Sequence, residues 1–258
     1  MTLHDLYARL TPYEIAFQDR AAVEALIVAI AEEAEGRGAD PSSPQTFITM
    51  ASVGVFVREL QGPDAPPAAI HQYGALVLQA VHFTAADCPL YLLGIHASRY
   101  LVDGVPDGDS VPPTPAGYLQ LPQHLFWTVG GEADPAESID GMFWMISGAG
   151  LLHVLLVTGL RPDRPGFGTI SLPEAPVEEV GAWLDAEARE SAPDFSSTLP
   201  GSELDGLYAV GAAGELLARF FAYTSAVPCA LETVDVPVRC DAVPSPSALS
   251  HVRVTLHA

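Results

Sequence analysis

The chain has 258 residues, which is enough for one or two domains with a substantial core. Apolar residues make up 49% and charged residues 17%, and this composition excludes a disordered chain. The net charge of −21 comes from 32 acidic residues against 11 cations, all of them Arg, so binding to nucleic acid or to an anionic membrane surface is disfavoured.

The capping residues and apolar spacing of residues 1–103 predict a mostly helical region. Thr11 is a candidate N-cap, followed by Pro12 and by a carboxylate at Glu14, and the helix that begins there is expected to continue to Gly36. A second helix is predicted from about Ser43 to Leu60. A third is expected to open at Pro66–Pro67 and to run to about residue 85.

Two features follow these helices. The run Leu90–His96 is apolar but short, so its pattern does not separate a buried strand from a turn of helix. Residues 103–115 are rich in Pro, Asp and Gly, which indicates a linker or a long loop. We therefore expect a helical region over 1–103 and a second region over 104–258, with one compact domain containing both as the alternative.

The middle of the chain predicts an antiparallel sheet of about five strands, because short β-type runs alternate with turn residues. The runs are Tyr118–Pro122, Leu125–Val129, Met142–Ser147, Leu151–Thr158 and Phe167–Leu172. The third is apolar on both faces, so helices should cover both sides of the sheet. Residues 142–160 carry no charge, but the glycines at 148 and 150 favour a buried hairpin over a membrane span.

The last third predicts helices again, one after Pro176 and a strongly apolar one after Ser202. Closing strands are expected at Val234–Arg239 and His251–His257. The predicted fold class is therefore α+β, with an N-terminal helical layer, a central antiparallel sheet, C-terminal helices and closing strands.

Several kinds of chemistry lack support in the sequence. Without Lys there is no phosphate-binding loop, and no Gly-x-Ser-x-Gly elbow is present. The cysteines, Cys88, Cys229 and Cys240, are odd in number and lack Cys-x-x-Cys spacing, and no export signal is visible, so we expect a cytoplasmic protein. The absence of both Lys and Asn indicates a GC-rich bacterial genome.

The candidate metal ligands are His82, Asp87, Cys88 and His96, which lie within fifteen residues and converge if the chain reverses at Pro89. This set of nitrogen, oxygen and sulfur donors suits zinc, whereas ordinary core or surface roles for these residues imply no cofactor. His153 stands alone in the most apolar strand, where we expect it to be a packed core residue.

The candidate binding residues are of two kinds. Arg161 and Arg164 concentrate two of the eleven cations in one turn, where they can grip a carboxylate or a phosphate. Tyr118, Trp127 and Trp144 lie on the predicted sheet, where aromatic side chains line a partner surface or pack in the core.

Charge and the lack of catalytic motifs favour an acidic interaction protein, of the immunity, antitoxin or assembly-subunit type. Such a protein binds a basic or apolar protein partner or a second copy of itself. The alternative is a hydrolase or transferase with a nonstandard site, which is either the His/Asp/Cys set, with or without a metal ion, or the turn from Arg161 to Arg164. Whether the chain is an enzyme stays open at this point.

Overall fold

The computed structural model describes residues 8–17, 20–38, 54–55, 57–58, 67–103, 109–123, 125–127, 137–159, 167–172, 174–179, 203–234 and 247–256. The helices in these ranges are α1 (Pro12–Ala16), α2 (Arg20–Gly36), α3 (Pro67–Ala85), α4 (Ile95–Asp103) and α5 (Glu203–Ala226). The strands are β1 (Leu90–Leu93), β2 (Ala116–Gln120), β3 (Ile139–Ile146), β4 (Leu151–Thr158), β5 (Gly168–Ser171), β6 (Ala175–Pro176), β7 (Leu231–Val234) and β8 (His251–Val254).

The strands form one mixed sheet in the order β5–β4–β3–β2–β1–β8–β7, and β6 also pairs with β4. The α+β class is confirmed, but the prediction of about five antiparallel strands is wrong, because the described residues already form eight strands of the sheet and two of the pairings are parallel. Strand β1 makes both parallel pairings, with β2 and with β8, and it is the short apolar run whose structure the sequence left open. A strand flanked by parallel neighbours and buried on both faces reads as a continuous apolar run, which hides the period of two.

Helices cover both faces of the sheet, as predicted. Helix α3 packs against one face, where its Leu76 and Phe83 join a core that includes Phe143 of β3. Helices α4 and α5 cover the other face, where Leu101 and Phe221 join Trp144 of β3 in a second core. Strand β1 belongs to residues 1–103, so that region supplies a central strand of the sheet as well as helices.

Within the uncharged segment, residues 142–158 lie in the β3–β4 hairpin, as predicted, and the antiparallel pairs run from Ile139↔Thr158 to Ile146↔Leu152. None of the helices in the described ranges is both long enough and apolar enough to cross a membrane. The run predicted as a strand at Leu125–Val129 is not one in its described part, which contributes only an isolated bridge between Trp127 and Ser138.

Near the N-terminus the predicted helix start is confirmed. Thr11 Oγ1 accepts a hydrogen bond from the Glu14 amide at 3.2 Å, and Glu14 Oε2 accepts one from the Thr11 amide at 2.8 Å. The single helix expected from there to Gly36 is instead two helices, because α1 ends at Ala16 and the Phe17 ring packs edge-on against Tyr13 in the core.

Other predicted elements fall partly outside the described residues. Of the second predicted helix, only residues 54–55 and 57–58 are described, and they are helical. After Pro176 the chain forms a short 3₁₀ turn, Val177–Glu179, and residues 180–202 are outside the described ranges. The closing strand predicted at Val234–Arg239 is described only at its first residue, which ends β7.

Candidate functional site

His153 lies on β4, in the part of the sheet that α3 covers. Its neighbours Leu152 and Val154 belong to the core under α5, so strand alternation directs the imidazole toward the opposite face, where α3 packs. The side chain is only 11% exposed. The sequence interpretation of His153 as a core residue is therefore right about its burial, although the ring has polar neighbours.

Glu174 lies beside His153 because of how β5 and β6 pair with β4. Ser171 of β5 pairs with Leu155, and Ala175 of β6 pairs with Leu152, so the turn between the two short strands passes His153. Oε1 of Glu174 is 3.2 Å from Nδ1 of His153. A carboxylate only accepts hydrogen bonds, so Nδ1 carries the proton and Nε2 of a neutral His153 keeps its lone pair.

Helix α3 brings two more polar side chains to the same place. Gln79 and His82 are three residues apart and share one face of the helix. Nε2 of Gln79 donates a long hydrogen bond of 3.5 Å to the backbone oxygen of His153. Oε1 of Gln79, Nε2 of His82 and Nε2 of His153 are buried, and within the described ranges none of these three atoms has a hydrogen-bond partner. Buried polar atoms are nearly always hydrogen-bonded, so three without partners in one place require an explanation.

Burial controls the protonation of both imidazoles. Desolvation lowers the pKa of His82, and the proximity of His153 lowers it further. Desolvation also lowers the pKa of His153, and the carboxylate of Glu174 offsets part of that effect. Both rings are therefore neutral at pH 7, the form in which imidazole accepts a proton or binds a metal ion.

The candidate zinc ligands proposed from local spacing are not brought together. The chain does reverse after α3, through left-handed backbone at Asp87 and Cys88. However, Cys88 is buried in the core on the α3 side, whereas His96 is exposed on α4, on the other side of the sheet. No three His, Cys, Asp or Glu side chains within the described part of the chain are placed to hold a metal ion.

The three aromatic residues predicted to bind a partner differ in their exposure to solvent. Tyr118 and Trp144 are buried, and the indole nitrogen of Trp144 donates to the backbone oxygen of Thr114 at 3.0 Å. Both side chains therefore lie in the core of the sheet. Trp127 is 45% exposed and is the member of the set that reaches solvent. Arg161 and Arg164 lie outside the described residues.

A second buried polar group holds the N-terminal segment against the sheet. The Arg9 amide donates to Oε1 of Gln120 at 2.7 Å, and Nε2 of Gln120 donates back to the Arg9 backbone oxygen at 3.1 Å. The Arg9 guanidinium donates to the backbone oxygen of Leu121 at 2.8 Å. Burial and the nearby Asp140 raise the pKa of Tyr118, so its hydroxyl stays protonated. This arrangement links elements of the fold and presents no reactive group to solvent.

The outer face of α2 carries negative charge around the exposed side chain of Val28. Glu24, Val28, Glu32 and Glu35 are exposed, and at 100° per residue they fall within an arc of about 80°. Val28 itself is 56% exposed. Ile30, on the other side of the helix, is buried. We call these four residues the acidic stripe.

Neither a scan against protein-family models nor a search of curated proteins finds a match to this chain. What the protein does is therefore inferred from its own residues.

The sequence patterns did not predict that Gln79, His82, His153 and Glu174 lie close together, because these residues come from three separate segments. A usable signal was present: Gln79 and His82 interrupt an otherwise apolar stretch of α3, residues 75–83, and His153 interrupts an apolar strand. Buried polar residues need partners, so polar residues in apolar elements predict contacts with one another.

Proposed function

We propose that this chain is an acidic binding protein of the immunity, antitoxin or assembly-subunit type, acting in the cytoplasm, and that its partner is a basic protein. The observation that carries this proposal is the acidic stripe, where three exposed carboxylates surround the exposed side chain of Val28. Apolar contact surrounded by charge is the usual composition of a protein interface that is both specific and reversible.

The chemistry of the stripe defines the segment that fits it. Carboxylates about one and two helical turns apart match Lys or Arg side chains with the same spacing, and Val28 matches one apolar side chain between them. An amphipathic helix with basic residues on either side of an apolar centre has this arrangement. The net charge of −21 attracts such a segment over a distance and speeds association at low salt.

Charge also indicates that the partner is a different protein rather than a second copy. The chain has 11 cations and no Lys, and nowhere in the sequence do more than two Arg lie close together. Two copies meeting at their stripes would bring carboxylates together, which costs free energy in a desolvated interface. The same charge argument supports the expectation that nucleic acid is not a ligand.

The test compares two triple variants with the same net charge. Glu24→Gln, Glu32→Gln and Glu35→Gln neutralise the stripe, and the control neutralises three exposed acids elsewhere: Asp103→Asn, Asp109→Asn and Glu179→Gln. The tagged full-length chain and both variants are isolated at moderate salt from the cells that make the protein, and native mass spectrometry reports what is bound.

The expected result is a basic protein bound to the wild type and to the control variant but depleted with the stripe variant. With the purified partner, the stripe variant should bind roughly 3- to 100-fold more weakly, because each exposed ion pair contributes about 0.2–1 kcal/mol. Equal binding by both triple variants, an acidic partner, or a homo-oligomer as the sole complex would contradict the proposal.

A further inference from the structure

The buried face between α3 and β4 holds three polar atoms that lack partners within the described part of the chain: Oε1 of Gln79, Nε2 of His82 and Nε2 of His153. Two of these atoms can only accept a hydrogen bond. The amide oxygen can only accept, and Nε2 of His153 is also an acceptor because Nδ1 donates to Glu174. A buried acceptor without a partner is stabilised by a hydrogen-bond donor or by a cation.

We propose that Gln79, His82 and His153 bind one divalent transition-metal ion of the Zn²⁺ class, and that Glu174 positions the His153 ring. Imidazole nitrogen is a preferred ligand of Zn²⁺ and of the neighbouring metals Ni²⁺, Cu²⁺ and Fe²⁺. The amide oxygen of Gln79 is the third donor, and water completes the coordination. This ligand set shares only His82 with the one proposed from local spacing.

The contact between His153 and Glu174 is the strongest argument for a metal rather than a structural water. Metal-binding histidines almost always donate their other ring N–H to a carboxylate, a backbone carbonyl or a water molecule, which fixes the tautomer and orients the lone pair at the metal. Oε1 of Glu174 occupies that position, 3.2 Å from Nδ1 of His153. The carboxylate is 37% exposed, so it remains hydrated on its outer side.

The charge of the chain also favours a bound cation. The net charge of the chain raises the local concentration of cations near its surface.

The first test measures Zn²⁺ binding to the metal-depleted full-length chain by equilibrium dialysis and elemental analysis. An excess of Mg²⁺ occupies weak carboxylate sites on the surface. We expect one Zn²⁺ per chain, and we expect the His82→Ala and His153→Ala variants to lose it. The control is His96→Ala, which removes an exposed imidazole on α4 and should bind as the wild type does.

The positioning role of Glu174 has its own test. Glu174→Gln should weaken Zn²⁺ binding by about 10- to 100-fold, because a removed partner of a ligating histidine typically costs that much. Glu179→Gln, an exposed acid in the following turn, should leave binding unchanged. If the two variants bind alike, Glu174 has no part in metal binding.

A measurement on the wild type tests the metal site even if a variant fails to fold. In ¹⁵N-labelled protein, Zn²⁺ should shift the Nε2 resonances of His82 and His153 and leave Nδ1 of His153 protonated. Unmoved Nε2 resonances, or equal Zn²⁺ binding by the wild type and both histidine variants, would overturn the metal site.

Discussion

Gly117 and Trp144 face each other on adjacent antiparallel strands, and the six-membered ring of the indole lies where a side chain at residue 117 would begin. A Cβ built on Gly117 would be 2.4 Å from Cζ2 of Trp144. Trp144 is itself fixed by the rings of Tyr91, Phe220 and Phe221, whose centroids lie between 5.3 and 6.1 Å away. The absence of a side chain at residue 117 therefore leaves the space that the indole occupies between the sheet and α5.

Gly117→Ala should destabilise the protein by about 1–3 kcal/mol, because the added methyl group would overlap an indole that three packed rings hold in place. The free energy of unfolding from urea titration measures the loss. Gly94→Ala is the matched control, because a Cβ there would meet no atom within 4 Å, and it should change stability by less than about 0.5 kcal/mol. Equal losses in the two variants would show that the close approach to Trp144 is not what residue 117 provides.

Stability should fall as the pH drops below the ordinary histidine value of 6.5. The pKa values of His82, His153 and His251 are all lowered in the folded chain, chiefly by burial. The unfolded chain therefore binds more protons than the folded chain between 6.5 and the lowered values. The stability that these residues contribute is complete above 6.5 and is lost as the pH falls through that window.

Urea midpoints measured at pH 7.5 and 5.5 in EDTA test this expectation. The wild-type midpoint should be lower at pH 5.5, and His82→Gln should reduce the difference between the two values because one buried imidazole is gone. His96→Gln should leave the difference unchanged, since His96 is exposed. An unaltered difference in the His82 variant would mean that this ring titrates alike in the folded and unfolded chains.

The parts of the fold that follow from neighbouring residues could be predicted. The start of α1 depends on Thr11 and Glu14, and the β3–β4 hairpin depends on a turn between two apolar runs. By contrast, β1 becomes a strand by pairing with β2 and with β8, and β8 begins at His251. A four-residue apolar run contains no information about a partner that far along the chain, so the parallel pairings could not be predicted.

The same limit applies to the candidate site. His82, Asp87, Cys88 and His96 are close in sequence, but β1 leads the chain from the α3 side of the sheet to the α4 side. His82 and His153 are far apart in sequence and meet because α3 packs over β4. Local spacing predicts ligand sets within one loop or helix, whereas a set divided between a helix and a sheet requires the tertiary structure.

Gln120 is a buried polar residue whose replacement should be costly. Its amide makes both hydrogen bonds to the backbone of Arg9, at 2.7 and 3.1 Å. Gln120→Leu should destabilise the protein by about 1–3 kcal/mol, because the Arg9 amide and carbonyl groups lose their partners in a partly buried place. Urea titration measures the change. Gln123→Leu, at an exposed position, is the control, and a similar loss there would argue against the role of Gln120.

Glu14 joins the start of α1 to the segment that precedes β8. Its carboxylate accepts from the Thr11 amide at 2.8 Å, from Oγ of Ser247 at 2.8 Å and from the Ala248 amide at 2.7 Å. Thr11→Ala removes the cap of one helix and should cost about 0.5–2 kcal/mol. Glu14→Ala also releases residues 247 and 248, so it should cost more.

Two measurements separate these effects. Urea titration gives the free energy of unfolding, and hydrogen exchange reports protection of the Ala248 amide, which should fall in Glu14→Ala but much less in Thr11→Ala. Glu32→Ala, on the exposed face of α2, should stay within about 0.5 kcal/mol of the wild type. If Glu14→Ala costs no more than Thr11→Ala and leaves the Ala248 amide protected, the carboxylate acts only as part of the helix cap, and the segment before β8 is held by other contacts, including the hydrogen bond from the Ser247 amide to the Ala8 backbone oxygen.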